Sequence, residues 1–124
     1  MKKSKTILLC DDNQVILFML KKLITTKSDN LAVVTALNGL DGLKIINNQP
    51  IDYLITDIEM PVMNGWELIE SVQKNGFDMK KVIVISAMLE QNIIPYAERF
   101  AILKYYSKPI MPEDIDEITA LINA

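Results

Sequence analysis

The feature that most constrains this chain is an alternation. Five short runs rich in Val and Ile, TILLC (6–10), LAVVTAL (31–37), IDYLIT (51–56), KVIVIS (81–86) and ILKYYS (102–107), are separated by longer segments of mixed polarity. Apolar runs of this length bounded by turn residues are strand-sized, and being apolar on both faces they suit a sheet covered on both sides. The segments NQVILFMLKKLITT (13–26), LDGLKIINN (40–48), WELIESVQKN (66–75) and PEDIDEITALIN (112–123) read as helices. Gly76 closes the third. Pro112 and a run of acidic residues open the last, as the helix dipole favours. Between the fourth and fifth runs lies LEQNIIPYAERFA (89–101), where Pro95 would break a hydrogen bond inside a helix, so a short helix starting near Pro95 is expected. Five βα units with right-handed crossovers predict an α/β fold, a doubly wound (βα)5 sandwich around a five-stranded parallel sheet.

At 124 residues the chain is one domain, residues 1–124, long enough for a hydrophobic core without disulfides or a structural metal. A net charge of −3 argues against direct nucleic-acid binding and suits protein partners or a bound cation. Cys10 is the only cysteine, so no internal disulfide forms; within Ile7-Leu8-Leu9-Cys10 it reads as a small buried hydrophobe in a reducing compartment. The absence of histidine excludes His-based triads, His-ligated zinc and histidine general bases. The apolar run after MKKSKT is too short for a signal peptide, and no stretch approaches a membrane span, so a cytoplasmic location is expected.

In open parallel sheets, sites form beyond the carboxyl ends of the strands. There this sequence places Asp11-Asp12, Asp57, Ser86-Ala87 and Lys108-Pro109. Each alone has an ordinary explanation: Asp11 and Asp12 as helix N-caps, Asp57 opening a turn through Pro61 and Asn64-Gly65, Ser86 as a cap, Lys108 as a solvated charge. Together they do not, because three carboxylates at one edge repel one another unless a cation is present. Lys108 supplies one charge, and a hard divalent metal such as magnesium, which binds through one or two carboxylates plus water and phosphate oxygens, supplies the rest. A carboxylate beside such a metal can attack phosphorus to form an aspartyl phosphate. Phosphoryl transfer needs mainly positioning and charge neutralisation, so it does not require histidine here.

With Asp11-Asp12, Asp57 followed by Met60-Pro61 and Gly65, Ser86-Ala87, and Tyr105 three residues before Lys108-Pro109, the sequence resembles the receiver domain of two-component response regulators over nearly its whole length. The resemblance implies a flavodoxin/CheY-like sheet in the order 2-1-3-4-5. It implies Asp57 as phosphoacceptor and Mg2+ as cofactor. Asp12 would be a direct ligand, Asp11 would hold the ion through water, and the backbone carbonyl of Glu59 would complete the set with Asp57. Ser86 would be the switch hydroxyl, Lys108 the partner of the phosphoryl group, the Lys108-Pro109 bond cis, and Tyr105 the aromatic switch. Tyr106 faces the other side of its strand. The implied partners are a histidine kinase or histidine phosphotransfer protein and a downstream protein target, with no membrane contact, and homodimerisation through the fourth helix, fifth strand and fifth helix. On this reading the chain is not an enzyme beyond its own phosphorylation and dephosphorylation.

Particular to this chain, Glu59 stands two residues after the acceptor and is expected to tune the phosphoryl lifetime. Met88, two residues after Ser86, cannot orient a hydrolytic water. Trp66 is expected to pack at the surface. The turn before the last run reads Arg99-Phe100-Ala101 where many receivers have Gly-Ala. A haloacid-dehalogenase-type phosphatase would need Asp two residues after the nucleophile, where Glu59 stands, and usually a cap domain. A flavodoxin-like electron carrier would need a Ser/Thr/Gly-rich phosphate loop, where the chain has Asp-Asp-Asn-Gln. The remaining rival is a receiver-like interaction module that is never phosphorylated; such modules usually lose part of the acidic set, hydroxyl and lysine. No output domain is read from the 124 residues, and Met1 with its Lys-rich start favours a stand-alone regulator over an excised piece.

Overall fold

Side chains alternate across a strand, so a strand apolar at every position needs a hydrophobic partner on each face of its sheet. In the computed structural model, which describes residues 4–124, both faces are covered. Met1 to Lys3, part of the Lys-rich start, lie outside the described residues. The elements follow as β1 (Lys5–Cys10), α1 (Gln14–Lys27), β2 (Leu31–Ala36), α2 (Gly39–Asn48), β3 (Tyr53–Thr56), α3 (Gly65–Lys74), β4 (Val82–Ser86), α4 (Glu90–Phe100), β5 (Lys104–Ser107) and α5 (Pro112–Asn123). The strands form one parallel sheet in the order β2-β1-β3-β4-β5, the doubly wound arrangement expected.

Alternation divides the core in two. Ile7 and Leu9 of β1, Ile55 of β3 and Ile83 and Ile85 of β4 face α1 and α5, meeting Leu17, Leu20 and Ile24 and then Ile115, Ile118 and Ile122. Leu8, Cys10, Leu54, Val82 and Val84 face the opposite way and meet Leu68, Ile69 and Val72 of α3 and Ile93 and Phe100 of α4. Cys10 is buried as expected, and that burial pushes its thiol pKa up to about 12, so it stays a thiol at neutral pH.

Two strands begin two residues later than the apolar runs suggested. Before β3, Asp52 binds Thr6 through both its own amide (2.8 Å) and its carboxylate (2.7 Å), which replaces ladder pairing there. Before β5, Ile102 and Leu103 lie outside the ladder.

α4 departs most from the sequence expectation. It starts at Glu90, five residues before Pro95, and carries Pro95 in its interior. Proline there removes the amide that would bond the Gln91 carbonyl. Gln91 is exposed, so water can serve that carbonyl, while the fully buried Ile93 and the nearly buried Phe100 hold the helix to the sheet. The helix ends on Ala101, in the left-handed region at φ 54°, the conformation a C-terminal glycine ordinarily supplies.

Candidate functional site

The site is assembled by strand register. Cys10 lies opposite Thr56, and the Asp57 amide bonds the Cys10 carbonyl at 2.9 Å, so Asp11 and Asp57 leave the sheet side by side. Ser86 pairs with Ser107, and the Lys108 amide bonds the Ser86 carbonyl at 2.9 Å, which brings Lys108 to the same edge. The Lys108-Pro109 bond is cis, as expected.

Lys108 Nζ donates to Asp11 Oδ2 and Asp57 Oδ2, each at 2.8 Å. The remaining oxygens of both carboxylates accept backbone amides, Asp11 Oδ1 from Asn13 at 2.9 Å and Asp57 Oδ1 from Ile58 at 2.7 Å. Asp12 is exposed, and its carboxylate, with those of Asp11 and Asp57, places three acidic oxygens within 4.8 Å of one another. Neither Asp11 nor Asp12 caps α1: Asn13 does, accepting from the amides of Val15 and Ile16. The helix-cap explanation of that acidic pair therefore fails. Burial pushes the Asp57 carboxyl above its usual value, against the pull of Lys108 and the Ile58 amide. Burial works against the Lys108 ammonium too, but its bonds to Asp11 and Asp57 win and hold its pKa above the usual value.

The loop after Asp57 is held by backbone contacts. The Gly65 amide donates to the Ile58 carbonyl at 2.8 Å and the Gly39 amide to the Met63 carbonyl at 3.0 Å. A side chain on Gly65 would run into the Asp57 carbonyl and the Ile58 backbone. The turn centres on Val62, at φ 70°, rather than on Asn64-Gly65. Those two residues instead open α3, where Asn64 and Glu67 form a reciprocal capping box.

Ser86 is fully buried, and its hydroxyl accepts the Met88 amide at 3.1 Å; among the described residues no hydrogen bond joins it to Asp57. Ser86 does not cap α4, whose N-terminus lacks a side-chain cap. Glu59 is exposed beside the site. Tyr105 lies apart from the carboxylates, its hydroxyl donating to Glu90 Oε1 at 2.8 Å. That bond gave no sequence signal, because Glu90 fell outside the helix expected to begin near Pro95. Tyr106 faces the other way, as expected, and donates to Glu117 Oε1 at 2.6 Å.

Trp66 corrects an expectation. It is not surface packing: only 9% of it is exposed, and its ring stacks on Tyr96 at 4.8 Å and beside Phe100 at 6.3 Å, joining α3 to α4. The two α4 aromatics that bury it belong to the helix whose start was misplaced.

All the acidic and basic site residues are therefore gathered, with Ser86 adjacent and Tyr105 set apart. Three hard oxygen donors beside one ammonium fit a divalent cation such as magnesium. Among the described residues no helix is long and apolar enough to cross a membrane.

A family model described as the response regulator receiver domain matches residues 7–120. The nitrate/nitrite response regulator protein NarL of Escherichia coli (strain K12) is 29% identical over 110 residues, 89% of this chain and 50% of NarL. The Regulator of RpoS of Escherichia coli (strain K12) is 32% identical over 120 residues, 97% of this chain and 34% of that protein. This chain thus spans half or less of the length of these curated relatives. A CheY-like response regulator receiver domain protein from Methanospirillum hungatei JF-1 superposes with a TM-score of 0.86 at 26% identity, covering 98% of this chain and 95% of its own. A receiver domain protein from Clostridium thermocellum gives 0.79 at 29% identity, covering 96% and 91%. With the family model matching nearly all of its length and the same fold found in a solved receiver domain, this chain belongs to the response regulator receiver domain family.

Proposed function

We propose that the protein is a magnesium-dependent phosphoacceptor switch, taking a phosphoryl group onto Asp57 from a histidine kinase or histidine phosphotransfer protein in the cytoplasm. The observation that carries this reading is the cluster itself: three carboxylates within 4.8 Å, with Lys108 bridging Asp11 and Asp57 at 2.8 Å. One Asp57 carboxylate oxygen attacks phosphorus, the bond from phosphorus to the donor's imidazole nitrogen breaks, and its electron pair returns to that nitrogen. Asp12, Asp11 through water, Asp57 and the Glu59 carbonyl would hold Mg2+. When bound, the ion neutralises carboxylate and phosphoryl charge.

Lys108, already bonded to Asp57, holds the new phosphoryl oxygens by its charge. The Ser86 hydroxyl would leave the Met88 amide for a phosphoryl oxygen, and Tyr105 would leave Glu90 and turn inward. The rearranged face of α4, β5 and α5 would then engage a downstream protein. The chain acts on no separate substrate in this account, beyond promoting its own phosphorylation and dephosphorylation.

Intact mass spectrometry after incubation with acetyl phosphate tests the reading. A single added phosphoryl group that needs magnesium and vanishes in Asp57→Asn is expected. Wild-type protein that stays unmodified in cold, rapidly sampled reactions would leave a constitutive interaction module as the better account.

A further inference from the structure

The last strand of an open sheet presents backbone groups that no neighbouring strand answers. Among the described residues β2 is such a strand, since it ends the sheet and pairs only with β1. The Asn30 carbonyl accepts the Lys5 amide and the Ala36 carbonyl accepts the Asp11 amide, both at 3.1 Å. The even-numbered residues here therefore turn their backbone groups toward β1. By alternation, the amides and carbonyls of Leu31, Val33 and Thr35 point away from the sheet, where no other strand meets them. Natural edges are ordinarily guarded by charge, proline or a bulge. From Leu31 to Leu37 this edge reads LAVVTAL, without a charge or a proline, and it pairs with β1 in unbroken register.

A groove of about 690 Å3 runs along the carboxyl end of that edge, at Thr35, Ala36 and Leu37. α1 packs on one face of β2 and α2 on the other, so each helix gives the groove a wall. Phe18 and Lys21 come from α1, and Lys44 and Ile45 from α2. Among the described residues neither Lys21 nor Lys44 forms an ion pair. Asp41 also borders the groove, but its carboxylate accepts the Asn38 side-chain amide at 3.1 Å and sits in the first turn of α2, where the helix dipole holds it.

We propose that the free edge of β2 is a strand-addition site, at which an extended acidic segment of a partner protein joins the sheet and sets carboxylates against Lys21 and Lys44. This goes beyond the phosphoacceptor reading and uses none of its chemistry.

Backbone and charge both select the occupant. Leu31 and Val33 are buried, so the apolar side chains of β2 are already covered and what stays open is the row of amides and carbonyls. Another extended backbone answers such a row at strand spacing. Its side chains alternate, so successive residues reach α1 and α2 in turn. Two carboxylates an odd number of positions apart would then meet Lys21 and Lys44 together. A basic strand would be repelled by both ammoniums, and a second copy paired edge to edge about a two-fold axis would bring the lysines of both chains into one interface.

The test pans a phage-displayed random dodecapeptide library against the full chain. Selected peptides are measured by fluorescence polarisation and by amide hydrogen exchange in NMR. The expected consensus is rich in Val, Ile or Thr, with Asp or Glu at odd spacing. On binding, the amides of Leu31, Val33 and Thr35 should exchange about tenfold more slowly or better, whereas those of Ala32, Val34 and Ala36, turned toward β1, should change little. Lys21→Gln and Lys44→Gln should each weaken binding about two- to fivefold, as loss of one exposed ion pair gives, and added salt should act the same way. Thr35→Pro removes only an outward amide and places the ring on the edge, so it should abolish binding while the urea midpoint shows the fold retained. Should that variant unfold, the exchange pattern and the two lysine variants decide.

Peptides that protect no outward amide of β2, a consensus without carboxylates, binding indifferent to both lysine variants, binding retained by folded Thr35→Pro, or no selected peptide overturns the proposal. So does a concentration-dependent dimer in sedimentation that shows the same alternating protection without peptide, since the edge would then belong to a second copy.

Discussion

Gly65 is where the site's backbone geometry is least forgiving. It must approach the Asp57 carbonyl and donate its amide to the Ile58 carbonyl, and a Cβ there would push against the Asp57 carbonyl, the Ile58 backbone and the Ile58 side chain. Gly65→Ala should therefore cost about 1–3 kcal/mol, as overpacking does, read as a lower urea midpoint, and it should slow phosphorylation by displacing the Asp57 loop. A variant as stable as wild type would mean that this loop can shift without penalty. At this scale the sequence was largely legible: Asp11, Asp12, Asp57 and Lys108 meet because strand ends in a parallel sheet meet. What it hid were contacts set by side-chain direction, such as Asn13 taking the capping role open to the aspartates and Glu90 holding Tyr105.

Among the elements, α4 is the one whose local sequence opposes its structure. Pro95 denies the Gln91 carbonyl its partner, and the helix begins on Leu89 without a side-chain cap. Relief of an interior proline is worth of order 3 kcal/mol, and about 1 kcal/mol returns through the freer unfolded chain. Pro95→Ala should thus stabilise the protein by about 2 kcal/mol, measured by chemical denaturation; a loss of stability would show that the ring's packing outweighs the missing bond. Propensity misplaced the start of α4 because tertiary burial of Ile93 and Phe100 outweighs one absent hydrogen bond. The partners of Trp66 were hidden for another reason: Tyr96 and Phe100 lie in the helix expected after Pro95, but which face of α3 meets α4 is set by tertiary packing. The five strands, by contrast, were plain from their apolar runs, and their ends moved by two residues at most.

For the whole molecule, the lack of histidine leaves stability against pH to be shaped mainly at the edges of the neutral range. Glu117 sits between Lys104 and Tyr106, and its bonds to them, Lys104 first, hold its carboxyl below the usual glutamate value. A depressed carboxyl contributes stability above its unfolded value and loses it as pH falls through the lower folded value. Tyr106 is raised above 10.0 by burial first and by Glu117 second, so its contribution is present below pH 10 and is lost only as pH rises through the higher folded value. Urea unfolding across pH should find Glu117→Gln less stable than wild type between these limits, with the gap closing below about pH 4. A gap that persists unchanged into acid would remove the carboxylate's charge from the explanation.

The central claim is that Asp57, and no other carboxylate of the cluster, carries the phosphoryl group. Reduction of the acyl phosphate with borohydride turns the modified aspartate into homoserine, which peptide sequencing by tandem mass spectrometry can locate. After treatment with acetyl phosphate and magnesium, the account predicts homoserine at position 57 alone. Homoserine at position 11 or 12, or none at any position while the protein remains folded, would contradict it.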